Sequence, residues 1–293
     1  MRAGRDRPHV VALGGGHGLA STLQAARHYA GRLTAVVSVA DDGGSSGRLR
    51  EIAGIPAPGD LRRCLVAMAA DGSAWAPAFE YRFPSGSGEL GGHALGNLII
   101  AGLANVTGDF GRALDLCAGL LGSIGRVVPA TTGPVVLKAE VSGQEVVGQV
   151  SVSETSGAIT CVSVVPPDAT VPAEALEAIA DADQVILGPG SLYTSVLAVA
   201  VVPGIRAALE ARRSGRVYVC NLRPQPPETA GFGEAEHLRA VLDHGIPVDV
   251  MVCGAPTGGD VMEGVQVVRG DLARSDGGGH DPRGLAAVLS GLT

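Results

Sequence analysis

An open α/β sheet, doubly wound and mostly parallel, is the fold class this sequence predicts. Three observations predict it. Short aliphatic runs recur along the chain and end in glycine or a polar residue. Segments with helical spacing of apolar residues separate those runs. The stretch between the first two runs has room for a single helix, which makes them a parallel βαβ pair.

The elements follow in order. "HVVALGGGHGLASTLQAARHYAG" reads as strand, glycine turn and helix, with the strand ending at Leu13 and Leu19, Leu23 and Ala26 recurring on one helical face. Leu33 to Ala40 is a second buried strand. Gly59 to Ala70 is a helix with Asp60 placed to cap it. "GHALGNLIIAGLANV" and "DFGRALDLCAGLLG" are two further apolar helices. From Arg126 to Pro166 the texture changes to β-branched residues with Thr-Thr-Gly and Ser-Gly-Gln turns, which predicts a small β-rich, antiparallel insertion inside one domain of residues 1–293. Helix and strand then alternate again as far as "VDVMVCG", and "SDGGGHDPRG" is expected to be a flexible turn before a short final helix.

Composition narrows the function classes. A chain of 293 residues, 46% of them hydrophobic, has enough apolar surface for a large core and is not a disordered chain. Aromatics are 3% and the formal net charge is −7, which disfavours base-stacking and general nucleic-acid or anionic-membrane surfaces. The five cysteines are scattered and show no zinc spacing, so most are expected to be small core residues in a reduced cytoplasm. No apolar run is long enough to span a bilayer. The 44 glycines gather at strand ends, where backbone can approach a ligand.

Four stretches carry the chemistry. Gly15, Gly16, His17 and Gly18 form a strand-to-helix turn suited to phosphate oxygens. It lacks the third glycine of the dinucleotide fingerprint and the Gly-Lys-Ser/Thr of a Walker A loop, so an NAD(P)-linked oxidoreductase is the weakest reading. Asp41, Asp42, Gly43, Gly44, Ser45, Ser46 and Arg48 form the densest cluster. Adjacent carboxylates at a strand end need a cation or donors, and Arg48 suits an anion. With Asp60 they offer a three-acid set that would take Mg²⁺ beside a phosphate. His93 and Asn97 share a helical face. Gly188, Gly190, Ser191, Leu192, Tyr193 and Thr194 make a second strand–glycine–helix turn, a cradle for a diphosphate, and Asn221 ends a later strand. Ser191 is not in a G-x-S-x-G setting, which argues against a serine nucleophile.

The words "GGGHGL", "VSVADDGGSSGRLR", "PGDLRRCLVAMA", "YRF", "GHALGNLIIAGL", "GPGSLYTSVL" and "VCNL…QPPET" together resemble the YvcK-like, gluconeogenesis-factor branch of the CofD (2-phospho-L-lactate transferase) family, in family order from about Val10 to His237. The resemblance implies a cytoplasmic bacterial protein with a Rossmann-like fold that binds UDP-activated sugars such as UDP-N-acetylglucosamine. It also implies links to carbon-source-dependent growth, cell-wall synthesis and cell shape. It implies that the GPGSLYTS loop faces a nucleotide diphosphate, and that Asp41, Asp42 and Asp60 correspond to the metal-side cleft of the Mg²⁺-dependent transferase.

Three departures fall near the expected pocket: His17 where the branch usually has Thr, Arg63 where it has Asn, and "PQPPET" (Pro224 to Thr229) for "TQPGET". Two functions are therefore expected to compete. One is a UDP-sugar-binding regulator acting through a protein partner, expected as a homo-oligomer. The other is a Mg²⁺-dependent phosphotransferase.

Overall fold

The computed structural model describes residues 7–255 and 264–293. Strand β1 (His9–Gly14) is buried along its whole length, as an apolar run at the centre of a parallel sheet must be. Helix α1 (Gly16–Ala26) follows, burying Leu19, Leu23 and Ala26. Strand β2 (Arg32–Val37) lies parallel beside β1. Five helices come next: α2 (Gly44–Ala53), α3 (Gly59–Ala67), α4 (Trp75–Glu80), α5 (Leu95–Thr107) and α6 (Phe110–Leu121). Strand β3 (Arg126–Pro129) then pairs in parallel with β2.

A smaller antiparallel sheet interrupts the pattern. It holds β4 (Val136–Val141), β5 (Gln144–Val147) and β6 (Ile159–Val165) in the order β5-β4-β6, with a short helix α7 (Gln149–Glu154) between the last two. Ser142 and Gly143 form the two-residue hairpin turn at φ 50° and 80°, the left-handed pair that matches strand twist. The main sheet resumes with α8 (Ala173–Asp181) and β7 (Gln184–Leu187). A π-helical turn (Leu192–Leu197) runs into α9 (Ala198–Ala200). After it come α10 (Pro203–Ala211), β8 (Arg216–Val219), α11 (Glu234–Asp243), β9 (Val250–Gly254), β10 (Gln266–Gly270) and α12 (Pro282–Leu289).

The seven strands lie in the order β3-β2-β1-β7-β8-β9-β10, all parallel. The chain winds outward from β1 to β3 and then returns to β7 on the other side of β1. This reversal opens a crevice at the carboxyl ends of β1 and β7, where doubly wound sheets bind ligands. Helix α1 packs against α3 and α12, and α8 packs against α10.

The expected architecture is therefore present, with three corrections of detail. The second strand stops at Val37 rather than Ala40. Arg126–Pro129 belongs to the main sheet, so the antiparallel insertion starts at Val136; β-branched residues fit a parallel edge strand and a hairpin equally well. Asp60 sits inside the first turn of α3, behind Pro58 at the cap position, and its carboxylate turns to Arg63 instead of capping the helix. All five cysteines are free, and only Cys161 is exposed. Among the described residues no single helix is long and apolar enough to cross a membrane.

Candidate functional site

The two glycine corners meet. A Cβ on Gly18, in the first turn of α1, would lie 2.1 Å from the Pro189 carbonyl oxygen of the loop after β7. A Cβ on Gly15 would lie 2.5 Å from Asp60 Oδ2 and 3.5 Å from Ser195 Cβ. These glycines let the loops after β1 and β7 lock together over the switch point. Close packing, on the Asp60 and Ser195 side chains at Gly15 and on the Pro189 backbone at Gly18, thus accounts for both glycines at least as directly as ligand approach does.

Beside this lock lies a cavity of about 840 Å³. Its wall runs from His17 and Gly18, across Pro189 and Gly190, to Asn221 beyond β8, the start of α11 and Gly254 at the end of β9. Gly277–His280 close the far side, so the stretch expected to be a flexible turn is a cavity wall, held by the His280 side chain on the Cys220 carbonyl at 3.1 Å. The wall includes none of Asp41–Arg48, His93 and Asn97. The Gly188–Gly190 corner therefore faces this cavity and the Asp41–Arg48 corner does not, although Asp60, close to Asp41, lies against Gly15 of the loop after β1.

Several predicted ligand donors already have protein partners. Asn221 grips the backbone of Gly190 at both ends: it accepts from the Gly190 amide at 3.1 Å and donates to the Gly190 carbonyl at 2.7 Å. The Tyr193 and Thr194 amides, expected to face a diphosphate, donate to Glu228 Oε1 at 2.5 and 3.1 Å, and the Thr194 hydroxyl donates to Oε2 at 3.1 Å. A buried carboxylate thus occupies the anion position at this helical turn. Burial pushes the Glu228 carboxyl above its usual range, while the bonds from Tyr193 and Thr194 pull it back. Glu228 comes from the "QPPET" word, whose order in the sequence was visible but whose partner was not.

The acidic corner divides in the same way. Both Asp42 oxygens accept from the Gln149 and Val150 amides at 3.0 Å, binding the first turn of α7. Asp41 Oδ1 accepts from the Gly43 amide at 3.0 Å. Asp60 and Asp41 stay close enough to interact. Burial, together with the Asp41 charge, holds the Asp60 carboxyl above the usual range against the pull of Arg63 and the Gly16 amide. Arg63 bonds Asp60 at 2.6 Å, which gives the unusual Arg63 a definite function. Among the described residues no group of three or more His, Cys, Asp or Glu side chains converges as a metal site. What remains for a cation is the Asp41–Asp60 pair, a donor set that suits Mg²⁺ only with phosphate oxygens and water completing the shell.

Ser45, His93 and Asn97 form a buried relay behind this corner. Ser45 Oγ lies 3.0 Å from His93 Nδ1 and accepts from Asn97 Nδ2 at 3.0 Å. Asn97 Oδ1 accepts from Arg62 Nε at 3.1 Å, and Arg62, itself buried, pairs with Glu80 at 2.5 Å. Burial, with the nearby Arg48 and Arg82 charges, lowers the His93 pKa and favours the neutral ring. Arg48 donates to the Gly91 carbonyl at 2.7 Å. These residues fix the geometry of the corner. Arg62 and Glu80 escaped the sequence reading because nothing in their spacing marks an ion pair between a buried arginine and an exposed glutamate.

A doubly wound sheet with interlocked glycine loops at its switch point and a cavity beside them defines a class, and comparison places the chain within it. Residues 10–271 match the model of the family described as "2-phospho-L-lactate transferase CofD". The "Gluconeogenesis factor" of Bacillus subtilis is 36% identical over 313 residues, covering 98% of each chain. That of Halalkalibacterium halodurans is 42% identical over 254 residues, 85% of this chain and 79% of the relative. A crystal structure of a UPF0052 family member from Bacillus halodurans superposes with a TM-score of 0.91 at 35% identity, covering 98% of this chain and 99% of that one. The chain belongs to the CofD family, in its gluconeogenesis-factor branch.

Proposed function

We propose that this protein binds a nucleotide sugar of the UDP-N-acetylglucosamine type and acts as a regulator in carbon metabolism, cell-wall synthesis and cell shape. The observation that carries the reading is the cavity at the carboxyl edge of β1, β7, β8 and β9. Its volume of about 840 Å³ falls in the range of small-molecule sites, and it abuts the start of α1. Helix α1 has no side-chain cap from its own first residues and no acidic residue in its first turn. Its first amide, Gly16, is taken by Asp60, so an anion would meet the amides that follow, at His17 and Gly18. With the Tyr193 and Thr194 amides held by Glu228, the phosphates are assigned to the His17–Gly18 end of the cavity. Asn221 then acts by shaping Gly190 and not by reading the base.

The test is calorimetry against UDP-N-acetylglucosamine, GTP and NAD, with and without Mg²⁺, followed by product analysis. Selective binding of the UDP-sugar without turnover supports the regulator. Binding of NAD alone, or of nothing, contradicts it.

A second reading is a Mg²⁺-dependent phosphotransferase. It is favoured by one observation, the raised Asp60 carboxyl next to Asp41. Asp41 and Asp60 would hold Mg²⁺, which would supply charge neutralisation for phosphoryl transfer, and Arg63 would set the charge of the pair. Phosphorylated product in the Mg²⁺ arm decides for this alternative.

A further inference from the structure

We infer that Arg223 is the charge by which the cavity recognises its ligand, its guanidinium forking onto two phosphate oxygens. The inference rests on the nucleotide reading above and deepens it by naming the residue that reads the anion. Arg223 is exposed and forms part of the cavity wall. It leaves the chain two residues after Asn221, whose side chain holds Gly190 at 3.1 and 2.7 Å. Its Nη2 atom lies 3.8 Å from where a Cβ on Gly277 would sit. The side chain thus crosses from the β8 side of the cavity to the Gly277 side. The facing wall at Gly277–Gly279 has no side chains, so the guanidinium is left uncovered there.

The charges around the cavity leave this arginine without a counter-ion. Two wall side chains are fully charged near neutral pH, Arg223 and Glu234. Glu234 is neutralised by Arg269, which bonds both its oxygens at 2.6 and 2.8 Å. Asp276, next to Gly277, is taken by Arg274 at 3.1 and 3.2 Å and by the Gly278 amide at 2.8 Å. Arg223 itself has no hydrogen bond and no ion pair among the described residues. Burial lowers the pKa of His237 and of His280 and favours their neutral rings, and protonation of His17 could only add positive charge. The uncompensated charge of the wall is therefore positive. A concave surface concentrates such a field on whatever enters it. A planar guanidinium matches phosphate with two parallel N–H···O bonds, which a point charge cannot do.

Calorimetry tests the assignment with UDP-N-acetylglucosamine, UDP and uridine on wild type, Arg223→Gln, Arg223→Lys and Arg126→Gln. Wild type should bind UDP more tightly than uridine. Arg223→Gln should weaken UDP and UDP-N-acetylglucosamine about tenfold. Lysine keeps the charge without the fork, so Arg223→Lys should recover only part of the loss. Arg126→Gln makes the same change in net charge at the start of β3, on the opposite edge of the sheet, and should bind as wild type does. Added NaCl should weaken UDP binding more in wild type than in Arg223→Gln. An exposed arginine without partners contributes little to folding, so the Gln variant should melt within about 2 °C of wild type. If it does not fold, the Lys variant and the wild-type preference for UDP over uridine decide. Unchanged UDP affinity in a folded Arg223→Gln or Arg223→Lys variant, an equal loss in Arg126→Gln, or wild-type binding of uridine as tight as that of UDP overturns the assignment alone. Absence of UDP and UDP-N-acetylglucosamine binding by wild type overturns the nucleotide reading and this assignment together.

Discussion

Asp60 carries its charge at a cost. Its carboxyl is raised mainly by burial, with Asp41 adding to the effect, so the folded state binds this proton more tightly than the unfolded chain does. The contribution to stability is complete below the unfolded carboxylate pKa and is lost as pH rises through the folded value. Asp60→Asn removes the charge and should raise Tm at pH 7.5. A change of about 1 kcal/mol would move it by roughly 2 °C in a domain of this size. The gain should shrink as pH falls toward the acidic range. A calorimetric melt with a lower Tm for the variant at pH 7.5 contradicts this. Arg63→Asn removes the cation that opposes the shift, so the Asp60 titration should move further up, as followed by carboxyl NMR. Gly18 gives the corresponding steric case. Because a Cβ at this position would lie only 2.1 Å from the Pro189 carbonyl oxygen, Gly18→Ala forces the two loops apart. It should lower stability by about 1–3 kcal/mol in urea unfolding.

At the scale of elements, two carboxylates hold helical starts that the chain's own short-range pattern leaves bare. Asp42 binds the first turn of α7, and Glu228 binds the turn at Tyr193–Thr194. Asp42→Ala should cost about 0.5–2 kcal/mol, the worth of a helix cap, and should speed amide exchange across Gln149–Glu154. Unchanged exchange there would show that α7 is held by other contacts. The small sheet is also tied to the cavity side of the molecule. Tyr193 Oη donates to the Ile159 carbonyl at 3.2 Å, and the Val162 amide donates to His244 Nε2 at 3.0 Å. Tyr193 in turn packs edge-to-face on Phe232 at the cavity wall, with centroids 6.4 Å apart. Saturating UDP-N-acetylglucosamine should therefore slow exchange in residues 136–165. An unchanged exchange map across that sheet removes it from any regulatory output.

Across the whole molecule, the sequence made the fold and the edge of the sheet that matters legible. Apolar runs ending in glycine located the strands, and the helix between the first two determined their parallel pairing. It did not make legible which polar groups were already partnered. Asp42, Asn221 and Glu228 have conspicuous local settings, but their hydrogen bonds join segments far apart in sequence. The wall at Gly277–His280 was hidden for a related reason: a glycine-rich turn reads the same whether it faces solvent or closes a cavity.

The central claim is that the cavity beside the interlocked glycine loops holds the nucleotide diphosphate. The most direct measurement is a crystal structure with UDP-N-acetylglucosamine. The account predicts the nucleotide seated in this cavity, with its phosphates at the His17–Gly18 end and Glu228 still bound to Tyr193 and Thr194. A nucleotide seated instead at Asp41–Arg48 and His93, or phosphates bound at the Tyr193 and Thr194 amides with Glu228 displaced, contradicts it.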